Sequence, residues 1–387
     1  MMERVQEALA GRQHPMLELL ARLVEVNSYT DNVDGGNRVG EMLARELASI
    51  EGLVVRTVPS ARYAEHLVVT TRASERSAAG CVGLVGHLDT VFPPGTFEGF
   101  RQEGAIARGP GVLDMKGGLC VALEALRALA HVGVLARMPI RMLVVADEEV
   151  GSPEGRPLIQ EELRGASSAL VFEAGRQADA IITRRKGTGA VKVVAEGRAA
   201  HAGNAYQSGA NAIWALSRFV DRAQALTAYD RGITVNVGKV SGGQGKNTVP
   251  DHAEALVDFR FVETVDGEAV FAALADVAAQ AAASVPGTAI SVEGGVARKP
   301  LERTDDSVAL YREYAACAAL SGLGTGEAPL LGGGSDASST AAIGIPSIDG
   351  LGPRGTGFHT KEELIEVATL LPKTEALARF LLGRLPS

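Results

Sequence analysis

A chain of 387 residues exceeds the roughly 100–200 residues of a usual single domain and points to about two. With 46% hydrophobic and 22% charged residues, it has the make-up of an ordinary folded protein with ample apolar material for a core. A net charge of −8, the lack of any basic run and only 4% aromatics argue against nucleic-acid or anionic-membrane partners.

The first residues mix polar with apolar types and lack the apolar region of a signal peptide. No apolar stretch approaches the ~20 residues of a membrane helix, so the expected setting is soluble and cytoplasmic. Met16, Leu17, Leu19, Leu20, Leu23 and Val24 recur at helical spacing, which predicts a helix over 15–26. A second amphipathic helix is predicted over 37–50. Strand-like runs follow at 53–58, 67–71 and 81–85, then a helix over 119–130. The runs 140–146 and 169–172 have the continuous apolar character of strands covered on both faces. Strands alternating with helices predict an α/β domain, a mixed sheet flanked by helices.

The middle of the chain differs. Residues 189–196, 234–240 and 254–262 alternate as half-exposed strands do. Helices are predicted over 211–226, which holds the single tryptophan Trp214, and over the Ala-rich 268–285, with a last strand at 289–293. That β-α-β-β-α-β order predicts a ferredoxin-like α+β module inserted at 187–297, with 1–186 and 298–387 forming the larger domain. Cys81, Cys120 and Cys317 are far apart, with no C-x-x-C, and are expected to be buried free thiols in a reducing compartment.

Several charged groups sit where predicted strands end, the edge at which open α/β sheets collect ligands. His87 and Asp89 follow the run 81–85. Two apart in extended backbone, they point the same way, which suits a metal ligand and its orienting partner. Taken alone, a hydrogen-bonded turn is the simpler account of them. Asp114 lies in a glycine-rich loop opening a helix, where an Asp is ordinarily a cap. No Gly-Lys-Ser/Thr follows, so this is not a phosphate loop. Asp147, Glu148 and Glu149 end the run 140–146. Three such acids repel one another unless a cation neutralises them, and neighbouring carboxylates can divide the work between metal binding and proton transfer. Glu173 ends the run 169–172 in the same way, although a solvated loop would explain either group alone. His14, His66, His131 and His252 look like surface histidines, whereas His87, His201 and His359 sit in turns of small residues. Two imidazoles and three carboxylates would make a two-metal site of mixed ligands that suits zinc, without excluding cobalt or manganese.

In this order Gly86-His-Leu-Asp-Thr90, Gly111-Val-Leu-Asp-Met-Lys-Gly117, Asp147-Glu-Glu-Val-Gly-Ser152, Phe172-Glu-Ala-Gly175 and Phe358-His359 resemble one family. It is the dizinc exopeptidase/deacylase family of glutamate carboxypeptidase, acetylornithine deacetylase, succinyl-diaminopimelate desuccinylase and aminoacylase, and the resemblance covers nearly the whole chain. It implies a zinc-peptidase type of catalytic domain with an inserted lid and dimerisation domain, hence a homodimer. His87 would bind one zinc ion, His359 the other, with Asp114 bridging and Glu149 and Glu173 each completing one. Glu148 would be the general base and Asp89 would orient His87; the Asp114–Met115 peptide bond would be cis. In the insert, Ala199-Ala-His201-Ala-Gly203 resembles the segment whose His stabilises the oxyanion in the partner's active site. Asn247 and Arg260 would contact the substrate carboxylate, and Gly333 and Ser335 would line the pocket. Without the resemblance, Arg260 is better explained by a surface ion pair with Asp258 or Glu254.

The Gly332-Gly-Gly-Ser-Asp-Ala337 and Asp147–Ser152 segments are most similar to glutamate carboxypeptidase, which implies release of a C-terminal amino acid, glutamate in particular, from a peptide or N-acyl conjugate. The alternatives are an N-acyl-amino-acid deacylase acting on acetylornithine or acetylcitrulline, and a metal-free binding protein with a decayed site. A two-metal phosphoesterase would need a basic clamp, and none is visible.

Overall fold

Six strands form the central sheet, in the order Leu53–Val58, His66–Thr71, Ile140–Val145, Val82–His87, Ser168–Val171 and Ser347–Ile348. The computed structural model describes residues 1–385. Val82–His87 runs parallel to both neighbours, and Ser347–Ile348 is parallel to Ser168–Val171. The first two strands join antiparallel, so the sheet is mixed. Its four inner strands are buried along their whole length, which is why the sequence there is continuously apolar. The register pairs His87 with Val145 and Val85 with Val171. The segments leaving these three parallel strands therefore emerge at one edge, and they carry Asp89, Glu148, Glu149 and Glu173.

The helix Lys116–His131 connects Val82–His87 to Ile140–Val145 and is buried nearly all round. Its start lies close to the sheet: a Cβ on Gly118 would stand 2.0 Å from the carbonyl oxygen of Phe172, so no side chain fits there. The helices Gln13–Val24 and Leu370–Gly383 pack on its outer side. A further helix, Met2–Leu9, buries only Val5 and Leu9, too few apolar anchors to stand out in the sequence. A second, four-stranded sheet has the order Gly355–Thr356, Leu364–Glu366, Ile106–Arg108, Arg101–Glu103. Strands of two or three residues leave no periodicity to read.

These elements belong to one compact unit, made of Met1–Arg184, Arg303–Leu330 and Ser335 onward; the other comprises Arg185–Glu302 and Leu331–Gly334. The second unit is an antiparallel sheet in the order Thr234–Gly242, His252–Phe261, Gly187–Glu196, Ala289–Arg298, with the helices Ala212–Gln224 and Thr264–Ala283. This is a ferredoxin-like arrangement. Val191, Val193, Ala253, Ala255, Val257 and Phe259 turn one sheet face onto Leu216, Phe219 and Leu274. All three cysteines are free; Cys81 and Cys120 are buried and Cys317 is half-buried. Among the described residues, no helix is long and apolar enough to cross a membrane.

Candidate metal centre

Asp89 anchors the cluster. It is buried, and its carboxylate gathers donors from three segments of the chain. Oδ1 accepts the Glu148 N–H at 3.2 Å and lies 3.3 Å from His87 Nδ1; Oδ2 accepts the Glu149 N–H at 3.2 Å and the Thr30 hydroxyl at 2.8 Å. The backbone carbonyl of Asp89 also lies 3.0 Å from His87 Nδ1. Two acceptors at Nδ1 place a ring proton there and turn Nε2 toward the acids. One residue thus orients an imidazole and fixes the backbone of two neighbouring glutamates.

His87 Nε2 lies 3.3 Å from Asp114 Oδ1 and 3.7 Å from Glu173 Oε1. On the other side of Asp114, His359 Nε2 lies 3.2 Å from Oδ2 and 3.1 Å from Glu149 Oε2. Asp114 is therefore flanked by the two imidazoles. His359 reaches it from a turn in which it has a left-handed φ of 62°, and the Asp114–Met115 peptide bond is cis. Potential ligand atoms of His87, Glu148 and Glu173, and of His87, Asp114 and Glu149, lie within 4.8 Å of one another. Geometry alone does not separate Glu148 from the ligand candidates.

The charges describe a site short of positive charge. Burial pushes the Glu173 carboxyl up to about 7, with Asp114 adding to it, and burial also raises Glu149. Burial disfavours charge on His87, yet Asp114, Asp89 and Glu173 together hold its imidazolium well above the usual range. The donor set fits a cation on a second count. Among the described residues, the buried side-chain atoms His87 Nε2, Asp114 Oδ1 and Glu173 Oε1 have no hydrogen-bond partner, and Nε2 faces both oxygens. Orphaned buried polar atoms are costly, about 1–3 kcal/mol each, and a shared divalent cation would satisfy all three.

Other acids prove structural. Asp147 turns away: its Oδ2 accepts the N–H groups of Glu154 and Gly155 as the helix Gly155–Glu162 begins. Ser152 Oγ donates to Asp336 Oδ1 at 2.7 Å, joining the turn after Glu149 to the start of the helix Ala337–Ala341. Ser335 is buried and its hydroxyl donates to Asp349 at 2.7 Å. His66 is buried too, contrary to the surface expectation, and its Nδ1 accepts the Ala146 N–H at 3.1 Å.

Three residues that sequence reasoning passed over also matter: Thr30, Lys116 and Glu363. The buried Lys116 ammonium donates to the carbonyls of Leu23 and Val26, and burial lowers its pKa to about 7. Glu363 accepts the N–H groups of Leu113 and Asp114 on Oε1, both at 2.9 Å, and that of Gly111 on Oε2 at 3.0 Å. Burial pushes its carboxyl up to about 7 despite these donors. In sequence, Glu363 is one acid in a polar run beside Glu362, with nothing to single it out.

In the second unit, His201 lies on the short strand Ala200–His201, paired with Thr248–Val249. Its Nδ1 accepts the N–H groups of Gly203 and Asn204, both at 3.1 Å, so the proton of the neutral ring is on the exposed Nε2. The Asn247 carbonyl accepts the Ala202 N–H at 2.9 Å. Arg260 forms a two-pronged ion pair with Asp258, both bonds 2.9 Å, and the Gly333 carbonyl accepts from Arg185 at 3.2 Å.

Residues 183–286 match the family model described as the peptidase dimerisation domain, M20_dimer. Carboxypeptidase G2 of Pseudomonas sp. (strain RS-16) is 30% identical, over 97% of this chain and 91% of its own. Acetylornithine deacetylase of Myxococcus xanthus is 31% identical, over 50% of this chain and 53% of its own. The crystal structure of Bacillus subtilis YxeP, described as a dinuclear metal binding peptidase from the M20 family, shares the fold with a TM-score of 0.72 at 16% identity, over 96% of this chain and 98% of that one.

Proposed function

The chain belongs to the M20 family of metal-dependent peptidases and deacylases, and on that premise we propose that the cluster at the sheet edge is a two-zinc centre for amide hydrolysis. The observation that carries this reading is the convergence of His87, Asp114, Glu149, Glu173 and His359 on shared space, with three of their buried atoms unpartnered among the described residues. His87 and Glu173 would serve one ion, His359 and Glu149 the other, and Asp114 both. YxeP, described as a dinuclear metal binding peptidase, lends support to two ions.

Bound cations would polarise the scissile carbonyl and bring the pKa of water toward about 7. Glu148 takes the proton from the attacking water and returns it to the leaving nitrogen, a role typically worth about 10²–10⁴-fold. Its neighbourhood suits that task, because Asp89 fixes its backbone N–H and the adjacent Glu149 is drawn to His359. His201 supplies the oxyanion donor from a proton on Nε2, acting across a homodimer formed through the second unit. Asn247 and Arg260 hold the substrate carboxylate, which requires the Arg260 guanidinium to exchange Asp258 for substrate; Gly333 and Ser335 shape the pocket.

We assign release of a C-terminal amino acid, glutamate first, from a peptide or N-acyl conjugate. The whole-chain match to carboxypeptidase G2 supports this, and the two segments that resemble glutamate carboxypeptidase touch through Ser152 and Asp336. The partial match to acetylornithine deacetylase favours deacylation as the second reading. Rates on N-acyl-glutamate and N-acetyl-ornithine with zinc present decide between them. Faster turnover of N-acyl-glutamate is expected; the reverse order overturns the glutamate assignment.

A further inference from the structure

Resting on the two-zinc reading, we infer that Glu363 is a positioning residue that sets the loop of the bridging ligand Asp114 before any metal arrives. The hairpin between Gly355–Thr356 and Leu364–Glu366 carries His359 at its turn and Glu363 just before its second strand. That second strand pairs with Ile106–Arg108, Leu364 opposite Arg108, so Glu363 is brought against the residues that follow Arg108. There its buried carboxylate gathers the Gly111, Leu113 and Asp114 N–H groups. Three converging donors satisfy a carboxylate and tie the loop to it at three points. The same hairpin brings His359 Nε2 to 3.2 Å from the other end of Asp114, at Oδ2. A single segment thus fixes the backbone of one ligand while presenting another.

Glutamine is the discriminating substitution. It matches the shape of Glu363, but its NH₂ must face either the Gly111 N–H or those of Leu113 and Asp114, donor against donor. Zinc affinity is measured for the metal-free wild type, Glu363→Gln and Glu363→Asp by competition with a chromophoric chelator. Urea unfolding of each metal-free chain is followed alongside. Glu363→Gln is expected to lose about 10–100-fold in zinc affinity, the scale for groups that support metal ligands, at urea concentrations where the chain is fully folded. Glu363→Asp, which keeps the charge on a shorter stem, is expected to fall between. Wild-type affinity in a folded Glu363→Gln overturns the inference, as does a loss of stability with affinity unchanged. Amide hydrogen exchange of the metal-free wild type tests it independently of any variant that fails to fold. The Gly111, Leu113 and Asp114 amides should be protected without zinc, and free exchange there overturns the inference. A wild type that binds no zinc, yet protects those amides, fails the two-zinc reading and leaves the clamp standing.

Discussion

Replacing Asp89 with Asn removes one charge and one acceptor while keeping the shape. The side chain can place its NH₂ at either position. At Oδ1 it would face the Glu148 N–H and the protonated Nδ1 of His87; at Oδ2 it would face the Glu149 N–H and the Thr30 hydroxyl. The second choice costs less, because a hydroxyl can rotate to accept, so one backbone N–H, that of Glu149, is left facing a donor. Leaving one buried group unsatisfied costs roughly 1–3 kcal/mol, so the metal-free chain should lose about that much stability. Zinc affinity should fall by about 10–100-fold, since His87 keeps only a neutral amide oxygen in place of a carboxylate and Glu149 loses its backbone anchor. Turnover should fall further than metal occupancy explains, because the turn that fixes Glu149 also carries Glu148. Chelator competition, urea unfolding and turnover at saturating zinc measure the three effects separately. Unchanged zinc affinity together with unchanged stability would refute the view that Asp89 holds this site.

Glu148→Gln should bind zinc nearly as wild type but turn over about a hundredfold or more slowly, the scale of a lost general base; kinetics with metal analysis checks it. Gly118→Ala should cost several kcal/mol in urea unfolding, roughly 3 or more, because the new Cβ meets the backbone oxygen of Phe172 and not a side chain that can swing away. Its zinc affinity should fall as well, since Glu173 follows Phe172 directly. Tyr314→Phe should be neutral or raise stability by about 1 kcal/mol, because the buried Tyr314 hydroxyl has no hydrogen-bond partner among the described residues.

The parts of the site at strand ends were legible because the chain changes there from unbroken apolar residues to charge. Val85 to His87, Ala146 to Glu149 and Phe172 to Glu173 each show that step, and parallel pairing brings the steps to one edge. That Asp147 turns away from the cluster was not legible, since its direction depends on a turn closed by the Ser152 N–H on the Asp147 carbonyl. His66 looked exposed because Glu65 precedes it, yet its strand is covered on both faces. Thr30, Lys116 and Glu363 escaped notice for one reason: each acts on backbone or side-chain atoms more than fifty residues away in sequence, and no local pattern encodes that. The ferredoxin-like unit was legible from alternation, because one face of its sheet is buried and the other is not.

The most direct test of the central claim is a zinc titration of the chelator-stripped protein, with hydrolysis of an N-acyl-glutamate followed as ions are added. Activity should be absent at the start and rise to a plateau near two zinc ions per chain, the number that a paired site of this kind holds. Full activity in the stripped protein, or none at any zinc occupancy, would contradict the account.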